Sequence, residues 1–442
     1  MFLLPLVLAL SGCRISASAE DLYALPRLPE EYEALSARLS EILASGAEYA
    51  PPQTGANLPP VQMVDLDGDG VDEVLAFFRQ SSEERPLKIY IFRAVEDQYV
   101  QAAHIDGSGT SIHSIRYEDM DGDGVRELIV SWSVSAEIQA LAVYVLEDLE
   151  PVQVVTTSYA RYEAVDLDGD DDLELVVLRS GDGETGVCLA DYYDWDGDES
   201  ALTLHSTARI SVSVAGIQGM QAGALQTGET AVFVTGRAVQ EEVPMAVTDV
   251  LVLRQVLENI VLSSDTGVST QIFRASSLQP ADVDGDGATE IPVPAALPAE
   301  NSEETYWKLY WHSFAADGTE QSKAVTYHNL TDRWYLILPE SWDNRFTVRQ
   351  TSSGSVRATT FFAIWDQSIG EELLTIYTLT GTDREAQAAK SGRSILRRRS
   401  GADTVYAVSF AEGYDQWPWS VEREALAERF NVIVNRWSMG EN

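Results

Sequence analysis

Short apolar segments separated by turn residues recur along most of this chain. In the first group, an apolar stretch at 61–64 precedes an acidic segment, and a second apolar stretch follows at 74–78. Runs of alternating apolar and polar residues then follow at 87–93 and 99–105. Short alternating runs bounded by turn residues are typical of strands. The pattern therefore predicts a unit of four antiparallel strands.

The acidic segment between the first two strands of this unit has three further copies. Each copy is nine residues long, with carboxylates at positions 1, 3, 5 and 9, glycine at position 4 and usually glycine at position 6. The copies occupy 65–73, 119–127, 166–174 and 282–290. In the third copy Asp171 replaces the glycine of position 6, where aspartate tolerates a left-handed backbone less freely than glycine.

The spacing of these copies predicts one more unit. Their starts are 54, 47 and 116 residues apart, and the last interval is about twice the others, so a copy is expected near residue 223. Residues 223–232 keep the glycine of position 6 and the apolar stretch after it, but none of the carboxylates. Repeats of this period with four strands each are typical of propeller blades. We therefore expect a mainly β fold, a β-propeller of four-stranded blades over residues 61–329, with five units found and six or seven possible.

The carboxylate spacing predicts a cation site in each intact copy. Two like charges about 4 Å apart repel by roughly 4 kcal/mol at an effective dielectric near 20, so such a loop is stabilised by a counter-ion. All-oxygen ligands on a flexible turn favour calcium over zinc, and magnesium usually keeps several waters. One copy alone is equally well explained as an Asp-Gly hairpin turn, whereas four copies favour calcium. The candidate ligands are Asp65, Asp67, Asp69, Glu73, Asp119, Asp121, Asp123, Glu127, Asp166, Asp168, Asp170, Glu174, Asp282, Asp284, Asp286 and Glu290.

These loops, placed between two strands, resemble the calcium hairpins of FG-GAP and VCBS repeat proteins, which include the integrin α-subunit propellers. The resemblance covers residues 61–329 and implies about four calcium ions, each held by the four side chains and by the main-chain oxygen of position 7. The sequence departs from the family in its ligand-free fourth unit and in a count of five, where family propellers often have seven blades. The implied main-chain ligands are Val71, Val125, Asp172 and Ala288.

The first residues resemble a bacterial lipoprotein signal. Residues 2–10 are apolar and too short to span a bilayer, and Leu10-Ser11-Gly12-Cys13 is similar to a lipobox. The resemblance implies that 1–12 are a signal peptide and that Cys13 is lipidated, which would anchor the exported protein to the outer face of the bacterial cytoplasmic membrane. The positive residues expected before such a segment are missing, and a buried apolar strand is the alternative.

Two further segments flank the predicted propeller. Residues 13–60 are expected to form an N-terminal linker with one helix, because apolar residues recur there at helical spacing. Residues 330–442 are expected to form a small α+β domain, in which several strand-like runs precede a helix from about Val421. Phe430 and Ile433 would lie on the apolar face of that helix.

Charge and motifs limit the possible functions. The chain carries 70 acidic and 30 basic residues, a net charge of −40, and residues 1–329 hold 55 of the acids and 17 of the bases. A body so acidic repels polyanions, which excludes nucleic acid as a partner. No Gly-x-Ser-x-Gly, His-x-x-x-His or glycine-rich phosphate loop is present.

These observations favour a non-catalytic protein. We expect a lipid-anchored, extracellular, calcium-binding propeller that acts as a binding or scaffold module for a protein or glycan ligand. The alternatives are a cell-surface polysaccharide hydrolase or lyase in which the propeller is a support, and a factor in envelope assembly. The propeller fold by itself does not decide between them.

Overall fold

The computed structural model describes residues 32–433, apart from 97, 108, 137, 182–187, 197–200, 238–244, 275–277, 299–304, 367, 400 and 402. The predicted signal peptide and the predicted lipidation site, Cys13, lie outside this range. The described chain is mainly β, as the sequence predicts, and forms six antiparallel sheets of four or five strands. Within it, no helix has the length and apolar character needed to cross a membrane.

The first sheet begins after a short helix, α1, at Glu33–Ala44. The helix ends before Gly46, which has a φ of +96° that a side chain would disfavour. Leu35 and Leu39 of α1 are buried against one face of the sheet. The strands of the sheet are β1 (Glu48–Tyr49), β2 (Val61–Val64), β3 (Glu73–Arg79), β4 (Leu87–Val95) and β5 (Gln98–Gly107), with both β1 and β2 paired to β3.

Four more sheets follow in chain order, and in each the first four strands are paired consecutively. The second sheet has β6 (Ser111–Glu118), β7 (Glu127–Ser133), β8 (Gln139–Glu147) and β9 (Glu150–Tyr159). The third has β10 (Arg161–Val165), β11 (Glu174–Ser180), β12 (Cys188–Asp196) and β13 (Ala201–Ile210). The fourth has β14 (Ile217–Ala224), β15 (Thr230–Arg237), β16 (Met245–Leu253) and β17 (Leu257–Asn259), with β18 (Ile272–Arg274) also on β16. The fifth has β19 (Ile291–Ala296), β20 (Trp307–Phe314), β21 (Glu320–Asn329) and β22 (Trp334–Ile337).

The hydrophobic core lies between successive sheets, because the second strand of each of the first four sheets is apolar on both faces. Val130 of β7 packs toward the first sheet, whereas Ile129 packs toward the third. In the same way, Val232 of β15 packs toward the third sheet and Phe233 packs toward the fifth. Each interior sheet is therefore buried on both faces, as in a radial or stacked array.

The two terminal sheets are covered by other elements. Helix α1 lies on the outer face of the first sheet, and a sixth sheet packs on the fifth through Tyr327, Trp334 and Phe361. The last described strand, β28 (Phe430–Val432), returns to pair with β22, so the fifth sheet crosses the boundary expected at residue 330. The sixth sheet has β23 (Phe346–Ser353), β24 (Val356–Trp365), β25 (Ser368–Thr380), β26 (Arg393–Arg398) and β27 (Thr404–Phe410), with the short helices α2 (Arg384–Ala388) and α3 (Arg423–Glu428).

The C-terminal helix is shorter than the sequence pattern predicts. It ends at Glu428, and Phe430 lies in β28 instead of on a helix face. The open edge of β22 explains the difference, because pairing there satisfies backbone groups that a longer helix would leave exposed at the sheet edge.

Candidate metal sites

The glutamate of position 9 is fixed in the same way in every acidic loop. We number these loops by unit: loop 1 (65–73), loop 2 (119–127), loop 3 (166–174) and loop 5 (282–290). The glutamate begins the second strand of the sheet in loops 1, 2 and 3 and directly precedes β19 in loop 5. It is buried there, and it accepts a hydrogen bond from the backbone N–H of position 2. The donor to acceptor distances for Glu73, Glu127, Glu174 and Glu290 are 2.9, 2.8, 2.6 and 3.0 Å.

The aspartates of positions 3 and 5 are also oriented by backbone groups. The carboxylate of position 5 accepts a hydrogen bond from the N–H of position 7 at 2.7, 2.7, 3.0 and 2.9 Å in loops 1, 2, 3 and 5. The carboxylate of position 3 accepts one from the N–H of position 5, at 3.2 to 3.3 Å. These local bonds hold the turn in shape and leave the remaining carboxylate lone pairs for another partner.

Backbone geometry explains the glycines. In loop 1, Gly68 and Gly70 have φ values of +72° and +84°, a region in which side chains are disfavoured. A Cβ at Gly68 would also lie 2.5 Å from the carbonyl oxygen of Gly124 in the next loop. Asp171 adopts a φ of +78°, so loop 3 keeps the conformation of position 6 with a less favourable residue.

The loops bring carboxylates together in groups that can bind metal ions. In each group the ligand atoms lie within 4.8 Å of one another. Loop 3 gathers all four predicted side chains, and the other loops gather those of positions 1, 3 and 9, whereas Asp69, Asp123 and Asp286 lie outside the groups. The groups are Asp65, Asp67 and Glu73; Asp119, Asp121 and Glu127; Asp166, Asp168, Asp170 and Glu174; and Asp282, Asp284 and Glu290.

Buried oxygens in these groups fit a cation. Asp65 Oδ1, Glu174 Oε1 and Glu290 Oε1 are inaccessible to solvent and have no hydrogen-bond partner in the described part of the chain. A buried carboxylate oxygen without a partner is costly, and it is a normal ligand for a hard cation. The donor set contains oxygen only, which suits calcium or magnesium better than a transition metal.

The pKa values of all four buried glutamates are raised. Burial raises the pKa of Glu127 and Glu290 to about 7 and that of Glu174 to about 8, and the neighbouring aspartate charges raise them further. The pKa of Glu73 is also raised, chiefly by burial. These environments disfavour the carboxylate unless a positive charge is close.

Loop 5 differs from the others because the protein supplies a cation to it. Lys323 Nζ on β21 lies 2.8 Å from Asp286 Oδ2, and this contact lowers the pKa of Asp286. The ammonium group occupies one of the predicted calcium ligands, so it competes with an added ion. The site in loop 5 should therefore be weaker than it would be without the lysine.

Replacing Lys323→Met is expected to tighten metal binding at loop 5 by about fivefold, which corresponds to about 1 kcal/mol for a partly exposed ion pair. Calorimetric titration with calcium measures the change. Lys390→Met, at an exposed position outside the five units, is the matched control and should leave every site unchanged. Unchanged or weaker binding in Lys323→Met would contradict the competition.

Successive loops are joined by equivalent backbone hydrogen bonds. The N–H of position 8 donates to the carbonyl oxygen of position 2 in the preceding unit. Arg126 donates to Leu66 at 2.8 Å, and Leu173 donates to Met120 at 2.6 Å. Thr289 of loop 5 makes the same bond to Ala224 of the ligand-free fourth turn, at 2.8 Å. The loops therefore form a row along one end of the sheets.

The fourth turn is a tight hairpin without metal ligands. Its ladder continues to the pair Ala224 and Thr230, and the N–H of Leu225 donates to the carbonyl oxygen of Glu229 at 2.8 Å. Gly228, with a φ of +97°, keeps the conformation of position 6. Thr230 occupies position 8, but no equivalent bond from it to the third unit occurs among the described residues.

The sequence matches no protein-family model and no curated protein. The loop geometry therefore carries the assignment of the sites. Sequence reasoning identified the acidic residues that the structure groups, but it did not find the bonds between loops or the competing Lys323. A lysine located 37 residues beyond Asp286 has no local pattern that would connect it to the loop.

Proposed function

We propose that this chain is a calcium-binding protein of the FG-GAP and VCBS type, whose five sheets are the blades of a propeller-like array. The observation that carries the proposal is the repeated loop with buried, unpartnered carboxylate oxygens. Calcium takes six to eight oxygen ligands in flexible geometry, which side chains, the carbonyl of position 7 and water can supply. Zinc prefers nitrogen and sulfur ligands, and magnesium retains more water.

In this proposal calcium has a structural role. Loops 1, 2 and 3 each connect the first two strands of a sheet and are joined in order by backbone hydrogen bonds, and loop 5 leads into β19 and is bonded to the fourth turn. An ion in these loops would therefore stiffen the row of turns. The sheets then present a rigid surface, and the protein acts as a non-catalytic binding or scaffold module for an extracellular protein or glycan. The described region contains one free cysteine, the buried Cys188, so calcium would take the stabilising role that disulfides have in many exported proteins.

Calcium titration by calorimetry tests the proposal. We expect four ions per chain in the unmodified protein and three after Asp67→Ala, Asp121→Ala, Asp168→Ala or Asp284→Ala, because each change removes the ligand of position 3. Leu225→Ala, at position 3 of the fourth turn, is the matched control and should leave four ions. A count of one or none in the unmodified protein would show that the loops are only acidic turns.

We further propose that the protein is exported and anchored by a lipid on Cys13. Replacing Cys13→Ala removes the thiol that receives the diacylglyceryl group, so acyl labelling should disappear and the signal peptide should remain uncleaved by the lipoprotein peptidase. Metabolic labelling with a fatty acid measures the first effect. Cys188→Ala is the control and should leave labelling intact, whereas labelling that persists in Cys13→Ala would disprove the anchor.

A further inference from the structure

A cavity of about 420 Å³ with a mixed polar and apolar lining lies between the second, third and fourth sheets. It runs along β6 and against the N-terminal halves of β10 and β14, so it is set back from loop 3, which follows β10, and from the ligand-free turn that follows β14. A volume near the lower end of the range for ligand pockets suits one or two small rings.

The connection between β1 and β2 forms one wall of this cavity. Backbone N–H of Thr54 donates to the carbonyl oxygen of His113 at 2.9 Å, and Asn57 Nδ2 donates to the carbonyl oxygen of Ile115 at 3.1 Å. The loop thus satisfies part of the open edge of β6 and fixes the shape of the cavity. The wall is therefore held by hydrogen bonds to the backbone of β6, independently of any ligand.

Two of the four charged side chains in the lining are already paired. Arg116 Nε lies 3.0 Å from Glu118 Oε1, and the guanidinium lies over the ring of Tyr162, 5.8 Å from its centroid. These contacts engage the guanidinium group of Arg116 and the carboxylate of Glu118 within the lining itself. Arg116 and Glu118 therefore form part of the wall.

The other two charged side chains are available to a ligand. Arg161 and Glu163 are two residues apart on β10, so they project from the same face of the strand. Neither has an ion pair or hydrogen bond to a side chain within the described part of the molecule. A guanidinium and a carboxylate side by side offer planar donors and acceptors that fit adjacent hydroxyl groups.

Uncharged polar groups complete the lining. Gln139 and Gln218 each provide an amide that is unpaired among the described residues, and His113 provides an imidazole. Burial lowers the pKa of His113, as does the charge of Arg161, so the ring is neutral at pH 7 and has one donor and one acceptor. Most of the available groups can therefore both donate and accept hydrogen bonds, and they carry no net charge.

The charge balance of the lining argues against several classes of ligand. Two arginines and two glutamates sum to zero, in a body whose net charge is strongly negative. A polyanion would meet no excess of positive charge, and a cation would meet no excess of negative charge. A zwitterion could use Arg161 and Glu163 but would leave the neutral amides and imidazole unmatched.

We propose that this cavity binds a neutral sugar, one or two pyranose units of a glycan, with Arg161 and Glu163 hydrogen-bonded to adjacent hydroxyl groups. The inference rests on the proposed binding function and names the ligand class for it. Hydroxyl groups both donate and accept, which matches the mixed lining, and the rims of Tyr159 and Tyr162 offer apolar contact for ring carbons.

The test is saturation-transfer NMR on the full chain with calcium present. The probes are methyl glucoside, methyl galactoside, methyl N-acetylglucosaminide, cellobiose and chitobiose, each up to about 10 mM, well above the dissociation constant of a specific site. Glycylglycine and glucuronate are the zwitterionic and anionic comparisons. We expect transfer to at least one neutral sugar, and little to either comparison.

Variants of the cavity residues test whether the sugar binds in this cavity. Arg161→Ala and the isosteric Glu163→Gln should each weaken sugar binding about tenfold, the loss of one or two good hydrogen bonds. Arg93→Ala and Glu150→Gln, at exposed positions outside the cavity, are the matched controls. Calcium titration of each variant separately reports the metal sites and shows that the fold is intact.

Three results would overturn the proposal: no transfer to any neutral sugar, preferential binding of glycylglycine or glucuronate, or unchanged sugar affinity in both cavity variants. Because the calcium count is measured on the same samples, failure of the sugar site would be distinguished from failure of the metal sites.

Discussion

Millimolar calcium should raise the melting temperature of this protein by about 7 °C relative to EDTA. A ligand at ten times its dissociation constant stabilises the native state by about 1.4 kcal/mol per site, and four sites give about 6 kcal/mol. Because the unfolding entropy scales with chain length, this free energy corresponds to about 7 °C for a chain of this size. The increase follows from the buried carboxylates, which a bound ion would neutralise.

Scanning calorimetry in calcium, magnesium and EDTA measures the effect. Magnesium should give a smaller increase than calcium, because it dehydrates reluctantly and fits a flexible oxygen cage less well. The calcium increase should also grow with calcium concentration, as binding linkage requires. Equal melting temperatures in calcium and EDTA would rule out a structural metal in the loops.

Replacing Glu174→Gln should have opposite effects with and without calcium. In EDTA at pH 8 the variant should melt a few degrees higher than the unmodified protein, because it removes a buried carboxylate but keeps an oxygen that accepts the N–H of Leu167. In calcium the variant should lose the stabilisation of the third site, because position 9 no longer supplies a charged ligand.

The pH dependence in EDTA gives an independent check on Glu174. Its folded-state pKa of about 8 lies above the ordinary glutamate pKa of 4.5. The folded state therefore holds a proton that the unfolded state releases, and the stability that this proton confers is full below about pH 4.5 and lost as pH rises through 8. Unmodified protein in EDTA should melt lower at pH 8 than at pH 5, and Glu174→Gln should flatten this slope.

Glu150→Gln, at an exposed position of β9, is the matched control for Glu174→Gln and should change neither the slope nor the calcium response. If Glu174→Gln melted lower than the unmodified protein in EDTA at pH 8, the carboxylate would be stabilising without a metal. The interpretation of the loop as a cation site would then be wrong for the third unit.

The repeated elements could be predicted from the sequence because their information is local. In the first three units the apolar and alternating runs identified the four strands. The carboxylate spacing identified the residues that the loops gather, although Asp69, Asp123 and Asp286 lie outside the groups. The ligand-free turn near residue 223 was also found, since Gly228 and the apolar strand after it persist. Strand pairing between neighbours in sequence follows from such patterns.

Contacts between distant segments could not be predicted in this way. Nothing near Thr54 indicates that its N–H reaches β6, and nothing near Phe430 indicates that the chain returns to β22. The apolar spacing around Ile433 fits a helix as well as a strand, and the free edge of β22 decides between them. The cavity beside Arg161 depends on three sheets and the loop at Thr54, so it has no signature in any one segment.

The backbone hydrogen bonds between neighbouring loops should make the row of candidate metal sites behave as a short one-dimensional lattice. An ion bound in loop 2 would fix Glu127. The adjacent Arg126 N–H donates to the carbonyl oxygen of Leu66, whose own N–H donates to Glu73 of loop 1. Occupancy should therefore spread through nearest neighbours from the first to the third loop. The fourth turn interrupts this lattice, since Thr230 pairs within its own hairpin, and loop 5 should fill as an isolated site that responds to calcium over a separate concentration range.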